Sequence, residues 1–229
     1  MAQMQAHKLP KVEVMPSRDE FIVGRCAGKR VLHLGCVGSH AALYVGQSLH
    51  LRIAAVARRV VGVDIDEGGL DRLRERGLKK LILGDVQELD KLPICGPFEV
   101  IIAGEILEHL PNPGKCVEAV GRIMEPEMTR LIVTVPNAFS MRGLFSVLLF
   151  EREAVRSDHN FYFSYVTMSN LLCARGFRIH EIFTYSNLRP AMSGIKRLAK
   201  RALNGWLLRF RPFVAEGLIF VVDKPDGGA

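Results

Sequence analysis

Short apolar runs alternate with amphipathic stretches along most of the chain, a rhythm that predicts buried strands followed by covering helices. Residues 1–16 lack a clear period and carry Pro10 and Pro16, so they are expected to form an irregular arm. Ser17 and Glu20 have capping-box spacing, which opens a helix over 17–27 that Gly28 closes. Val31-Leu32-His33-Leu34 then reads as a strand running into Gly35, with an Ala/Leu-rich helix over 39–51 behind it. The unit repeats as a strand over 60–63 ending in Asp64, a charged helix over 70–76 stopped by Gly77, and a strand over 80–83 ending in Gly84-Asp85. A strand over 98–103 precedes a short helical turn over 105–110, broken by Pro111 and Pro113; a helix over 116–124 and a strand over 130–135 follow, the latter stopped by Pro136.

Past Pro136 the rhythm changes. The apolar patch 144–150 is flanked by charges, and a lid-like insertion is expected near 138–160. A helix over 167–175, a stop at Gly176, a strand over 177–183 and a final strand over 218–222 complete the chain. Strands alternating with helices imply a doubly wound α/β fold, its mostly parallel seven-stranded sheet covered by helices on both faces. Residues 17–229 are read as a single domain.

Composition narrows the setting. With 229 residues and 48% hydrophobic content the chain can bury one good-sized core. A net charge of +7 favours acidic partners only weakly when spread over a whole surface. The five cysteines form no CxxC pair and no Cys/His cluster, so neither a disulfide framework nor a metal site is expected, and a reducing cytoplasm fits. No apolar run approaches the roughly 18 to 20 residues that span a bilayer, and no signal-peptide stretch is evident.

Candidate chemistry gathers at the ends of the predicted strands, where a doubly wound sheet binds its ligands. Gly35 and Gly38, in Gly35-Cys36-Val37-Gly38-Ser39, let the backbone turn sharply and approach a ligand, although glycine after a strand is common. Asp64 is placed to accept two hydrogen bonds from a ribose diol, or to cap the following helix, for which Asp66 is the better candidate. Asp85 is placed to accept from an adenine amine, or to serve as a turn residue.

Taken in order, these segments resemble the class I S-adenosylmethionine-dependent methyltransferases, particularly the small-molecule branch related to ubiquinone-biosynthesis O-methyltransferases. Val31-Leu32-His33-Leu34-Gly35-Cys36 resembles the first motif, Val61-Gly62-Val63-Asp64-Ile65-Asp66 the second-strand acid, and Leu83-Gly84-Asp85-Val86 the adenine-side turn. Phe98-Glu99-Val100-Ile101-Ile102 with Glu105-Ile106-Leu107-Glu108-His109-Leu110 resembles the fourth strand and its turn, and Val135-Pro136-Asn137 and 159–177 the later segments. The resemblance implies a Rossmann-like methyltransferase fold and S-adenosyl-L-methionine as cofactor. It further implies that Asp64 binds the ribose hydroxyls, that Asp85 and Val86 frame the adenine, that Gly35 lies against the methionine part and Glu105 faces the same crevice, and that Cys36, Gly38 and Ile65 belong to the same cofactor site. His33, Val37 and Ser39 depart from the acid, middle glycine and final glycine usual in the first motif.

An alcohol or phenol acceptor also needs a base. His109 and His159 are the candidates, with unperturbed pKa values near ~6.5 that suit proton removal at neutral pH. His109 is equally suited to the carbonyls ending its own turn, and His159 to a loop hydrogen bond, while His33 in an apolar strand reads as a satisfied buried histidine. A dinucleotide oxidoreductase is disfavoured because position 40 is His40 rather than a third glycine and Asp64 falls well beyond the expected spacing of about 20 residues. Nucleic acid is disfavoured as a partner because strand four ends in Ala103-Gly104-Glu105-Ile106, without the turn expected for methylation of base amino groups. The basic segment 195–211, with Trp206 and Phe210 among its cations, can instead cover the site or lie on an anionic membrane. With the 144–150 patch it points to a small-molecule, glycan or lipid-linked acceptor. A non-catalytic scaffold on the same fold is the alternative that the altered first motif favours.

Overall fold

The computed structural model describes residues 7–38, 48–153, 155–186 and 206–226. Along these the elements are β1 (Glu13–Met15), α1 (Arg18–Cys26), β2 (Arg30–Leu34), α2 (Leu49–Val56), β3 (Arg59–Asp64), α3 (Glu67–Glu75) and β4 (Leu81–Leu83). They continue with β5 (Val100–Gly104), α4 (Pro113–Ile123), β6 (Arg130–Pro136), α5 (Met141–Phe150), α6 (Tyr165–Cys173), β7 (Arg178–Tyr185) and β8 (Gly217–Asp223).

The sheet has eight strands in the order β1-β7-β8-β6-β5-β2-β3-β4. Every neighbouring pair is parallel except those of β8, which runs antiparallel to both β6 and β7. Alternate residues of the central strands bury on opposite faces. Leu32, Leu34, Ile101, Ala103, Leu131 and Val133 pack with α4 and α6, while Val31, Val100, Ile102 and Ile132 pack with α1 and α2. Burial on both faces explains why these strands read as continuous apolar runs, each fully buried aliphatic side chain being worth about 1.5–3 kcal/mol.

The eighth strand corrects the expectation of seven, and β1 corrects the irregular arm. With 3 residues between Pro10 and Pro16, β1 is too short to show a period, and pairing with β7 makes it a strand. The expected helix over 39–51 falls largely on residues 39–47, outside the described residues; the described helix α2 starts beyond Ser48, whose hydroxyl accepts from Leu51 N–H at 3.3 Å. Ser17 caps α1 by accepting from Glu20 N–H at 3.2 Å, but the Glu20 carboxylate pairs with Arg52 at 2.7 Å. The expected turn over 105–110 is a turn without a helix, and the insertion near 138–160 contains α5, none of whose residues is buried. Of the basic segment, 195–205 lies outside the described residues; 206–210 is helical, with Trp206 and Phe210 exposed.

Chain order reverses between β2 and β5. From β2 the chain winds outward through β3 and β4, then crosses back to lay β5 on the other side of β2. The carboxyl ends of these strands therefore border a crevice at the position where such sheets bind ligands.

Candidate functional site

A cavity of about 700 Å³ opens at these strand ends, lined by Gly35, Gly38, Asp64, Ile65, Asp85 and Val86 on one wall and by Glu105, Glu108, His109, Arg156 and His159 on the other. Of the ten residues expected to contribute, nine line it. Cys36 is the correction. Its buried thiol turns toward Gly62, where any Cβ would collide with Sγ, and burial pushes its pKa up. A glycine at 62 on the neighbouring strand made room for it, a relation invisible in a reading of the first motif alone.

Gly35 is required twice over. Its φ is 67°, and a Cβ there would stand 2.7 Å from Ile106 Cδ1. Gly38 has a φ of 59°, and no described residue lies within 4 Å of a Cβ there. Val37 occupies the middle position of the motif without blocking the cavity because its side chain packs on Gly69 of α3.

Asp64 ends β3 with its carboxylate oriented by the backbone. One oxygen accepts from Val37 N–H at 2.8 Å and the other from Asp66 N–H at 3.0 Å, leaving a lone pair on each for a ligand. Asp66, not Asp64, caps α3, accepting from Gly69 N–H at 2.9 Å. Asp85 takes both of its expected places: it lines the cavity and also caps the short 3₁₀ turn Val86–Lys91, accepting from Gln87 N–H at 2.8 Å. His33 does not line the cavity. It is buried against His50 with their Nδ1 atoms 3.1 Å apart, and burial lowers the pKa of both, that of His50 to about 4.

The turn after β5 carries the other wall. Glu105 pairs with Arg18 of α1 at 2.5 Å and accepts a hydrogen bond from the Tyr185 hydroxyl. Burial works against the charge on Arg18, but Glu105 and Asp19 outweigh it and keep the guanidinium protonated. Neither Arg18 nor Tyr185 was expected from sequence, since each reaches Glu105 only through the sheet. β1, paired with β7, sets the start of α1 beside β5 and so delivers Arg18.

Two chain segments meet beyond Glu105. Asn160 and Phe161 N–H groups donate to the Glu108 carbonyl at 2.7 and 3.2 Å, and the Asn160 side chain donates to the His109 carbonyl at 2.7 Å. This stitching sets the His109 and His159 rings edge to face, with centroids 4.5 Å apart. His109 Nδ1 lies 3.3 Å from the Asp158 carboxylate, which Arg156 grips at 2.9 and 3.0 Å and thereby holds well below the usual carboxylate range. Partial burial, then the neighbouring His109, lowers the His159 pKa, so that its imidazole is neutral at pH 7. Among the described residues neither oxygen of the buried Glu108 carboxyl has a well-formed hydrogen bond, and burial pushes it up to about 8. Although no metal site is legible in the sequence, Glu108, His109 and His159 each offer a ligand atom, all within 4.8 Å of one another, a spacing that a divalent cation can bridge.

The cavity meets the demands of an adenosine-linked amino acid. It has the volume for such a ligand, a backbone-oriented carboxylate for a diol, a cradle beside Gly35 that a Cβ would fill, and an Arg–Glu pair for a charged end. The comparisons agree. The profile of the methyltransferase domain family matches residues 13–182. A ubiquinone biosynthesis O-methyltransferase of Hahella chejuensis is 34% identical over 140 residues, 57% of this chain and 55% of that one. A second such enzyme, of Nitrosococcus oceani, is 29% identical over 51% of this chain and 49% of that one, so the chain matches about half the length of these curated relatives. Among solved structures, a SAM-dependent methyltransferase of Archaeoglobus fulgidus superposes with a TM-score of 0.57 at 17% identity, covering 90% of this chain and 94% of that one. The [4+2]-cyclase SpnF superposes with a TM-score of 0.55 at 19% identity over 91% and 81%, so likeness of fold alone does not fix a reaction. The domain match extends over most of the chain and includes every strand end lining the cavity: the chain belongs to the S-adenosylmethionine-dependent methyltransferase family.

Proposed function

We propose that the protein methylates an oxygen of a small-molecule, glycan or lipid-linked acceptor. The observation that carries this reading is the single cavity in which Asp64, Asp85 and the Gly35 bend face His109 and His159. Asp64 receives the ribose hydroxyls on its free lone pairs, with Ile65 against the ribose; Asp85 and Val86 frame the adenine; Gly35 and Gly38 admit the methionine part close to the backbone. Arg18 and Glu105 take up its charges.

When bound, the cofactor supplies a methyl group activated by positive sulfur, so the protein's task is alignment and exclusion of water. His159, neutral at pH 7, takes the proton of the acceptor hydroxyl, and Arg156 with Asp158 holds His109 beside it. A second cavity of about 570 Å³ under α5 shares Pro136, Arg156 and His159 with the first, and Leu144, Val147 and Leu148 line it. An apolar room adjoining the base supports an acceptor with an apolar portion.

Peripheral contact of 195–211 with an anionic lipid surface is supported by the exposed Trp206 and Phe210. No helix among the described residues is long and apolar enough to cross a membrane. The unpaired cysteines support a cytoplasmic setting.

Calorimetric titration with S-adenosylmethionine, S-adenosylhomocysteine and NAD tests the proposal. Binding of the first two is expected; binding of NAD alone would point to a dinucleotide enzyme, and binding of none to a scaffold. The grouping of Glu108, His109 and His159 favours a second form of the same chemistry, in which these residues hold a divalent cation that acts as a Lewis acid on the acceptor oxygen. That form requires turnover to vanish on chelation and return with added cation; turnover indifferent to chelator leaves His159 to act alone.

A further inference from the structure

Glu105 follows β5 with a φ of 50°, a left-handed conformation that costs an L side chain free energy and persists only where its surroundings enforce it. Its N–H donates to the Thr134 carbonyl at 2.8 Å, one carboxylate oxygen pairs with Arg18 at 2.5 Å, and the other accepts from the Tyr185 hydroxyl. Tyr185 is the last residue of β7 and is 2% exposed. Directly across the antiparallel ladder stands Gly217, and a Cβ there would fall inside the tyrosine ring and against its hydroxyl. Phenylalanine would serve packing as well at position 185, since a buried hydroxyl is a liability unless bonded. The hydroxyl and the glycine beneath it are therefore explained by the carboxylate they reach. Burial, followed by the charge of Glu105, raises the phenol well above its ordinary range, so it remains a donor to an ionised acceptor.

Arg18 and Glu105 both line the cavity, where they present a cation and an anion to the same space. An amino-acid zwitterion carries the matching pair of charges. We propose that Tyr185, seated on Gly217, is a positioning residue for the cofactor's amino-acid end: it fixes Glu105 so that this carboxylate meets the ammonium while Arg18 meets the carboxylate. The assignment rests on the reading of the cavity as the S-adenosylmethionine site.

Two ligands separate this role from a structural one. S-adenosylhomocysteine carries the zwitterion, whereas 5′-methylthioadenosine keeps the nucleoside and thioether and lacks it. Calorimetry on the full chain is expected to show Tyr185→Phe weakening S-adenosylhomocysteine about tenfold while leaving 5′-methylthioadenosine within about twofold. Gly217→Ala, by lifting the ring, and Glu105→Gln, by removing the charge, should shift the same ratio in the same direction. Parallel loss of both ligands in Tyr185→Phe, or undiminished S-adenosylhomocysteine affinity, overturns the positioning role. A wild-type protein that binds neither ligand overturns the underlying reading of the cavity, a result distinct from selective failure at Tyr185.

Discussion

On the wall formed by β3 and β4, the carboxylates of Asp64 and Asp85 are both held by backbone donors within 3.0 Å. On the wall formed by the turn after β5 and the 156–161 loop, the Glu108 carboxyl is buried with no well-formed hydrogen bond at either oxygen among the described residues. On the proposed reading the first wall faces the invariant cofactor, and its groups are fixed in advance, so little ordering remains to be done on binding. The second holds groups whose protonation is shifted by burial, a neutral imidazole and a carboxyl pushed up to about 8, which costs stability and keeps reactive capacity available. On the proposed reading the nucleoside lies on the first wall, while the second combines the Arg18–Glu105 pair that takes the cofactor's charged end with the groups proposed for the chemistry.

The sharpest way to break that division is His159→Ala. Turnover should fall by about 10²- to 10⁴-fold with cofactor affinity unchanged, measured by labelled methyl transfer beside calorimetry. A fully active variant would remove His159 as the base. Asp64→Ala probes the other wall: loss of two charge-assisted hydrogen bonds should weaken S-adenosylhomocysteine on the order of 100-fold. Unchanged affinity would refute the ribose role.

Behind the binding wall, His33 and His50 are buried neutral. Their folded pKa values lie below the unfolded value near 6.5, so the stability they contribute is present above that pH and is lost as pH falls toward about 4. The loss at His50 is on the order of 3 kcal/mol, to be read from thermal midpoints between pH 7 and 4, and His50→Gln should flatten the slope. Identical slopes in the two proteins would exclude the pair as its source. The smallest effect is expected from Glu108→Leu, which replaces an unbonded carboxyl with an apolar group of similar size. Stability should rise by about 1–2 kcal/mol while turnover drops; a destabilised variant would show that the carboxyl is satisfied after all.

Much of the binding wall was legible in the sequence because it is local. Gly35, Gly38, Asp64 and Asp85 each stand where a predicted strand stops, and strand ends are readable from apolar runs. The chemical wall was legible only in its separate members. Glu108 and His159 are neighbours through backbone bonds between two distant turns, and Arg18 and Tyr185 meet Glu105 from elements on either side of it in the chain. No periodicity reports such meetings. Cys36 failed for the same reason, since the pocket for its thiol is an absent side chain on another strand. β1 failed because three residues carry too little pattern.

The reversed direction of β8 has a consequence for assembly. β7 and β1 attach to the rest of the sheet solely through β8, so residues 217–223 must insert before either can dock. These pairings join segments far apart along the chain, contacts of the high sequence separation that slows folding. Until that latch shuts, the protein would have its nucleoside wall but no grip on the remainder of the ligand.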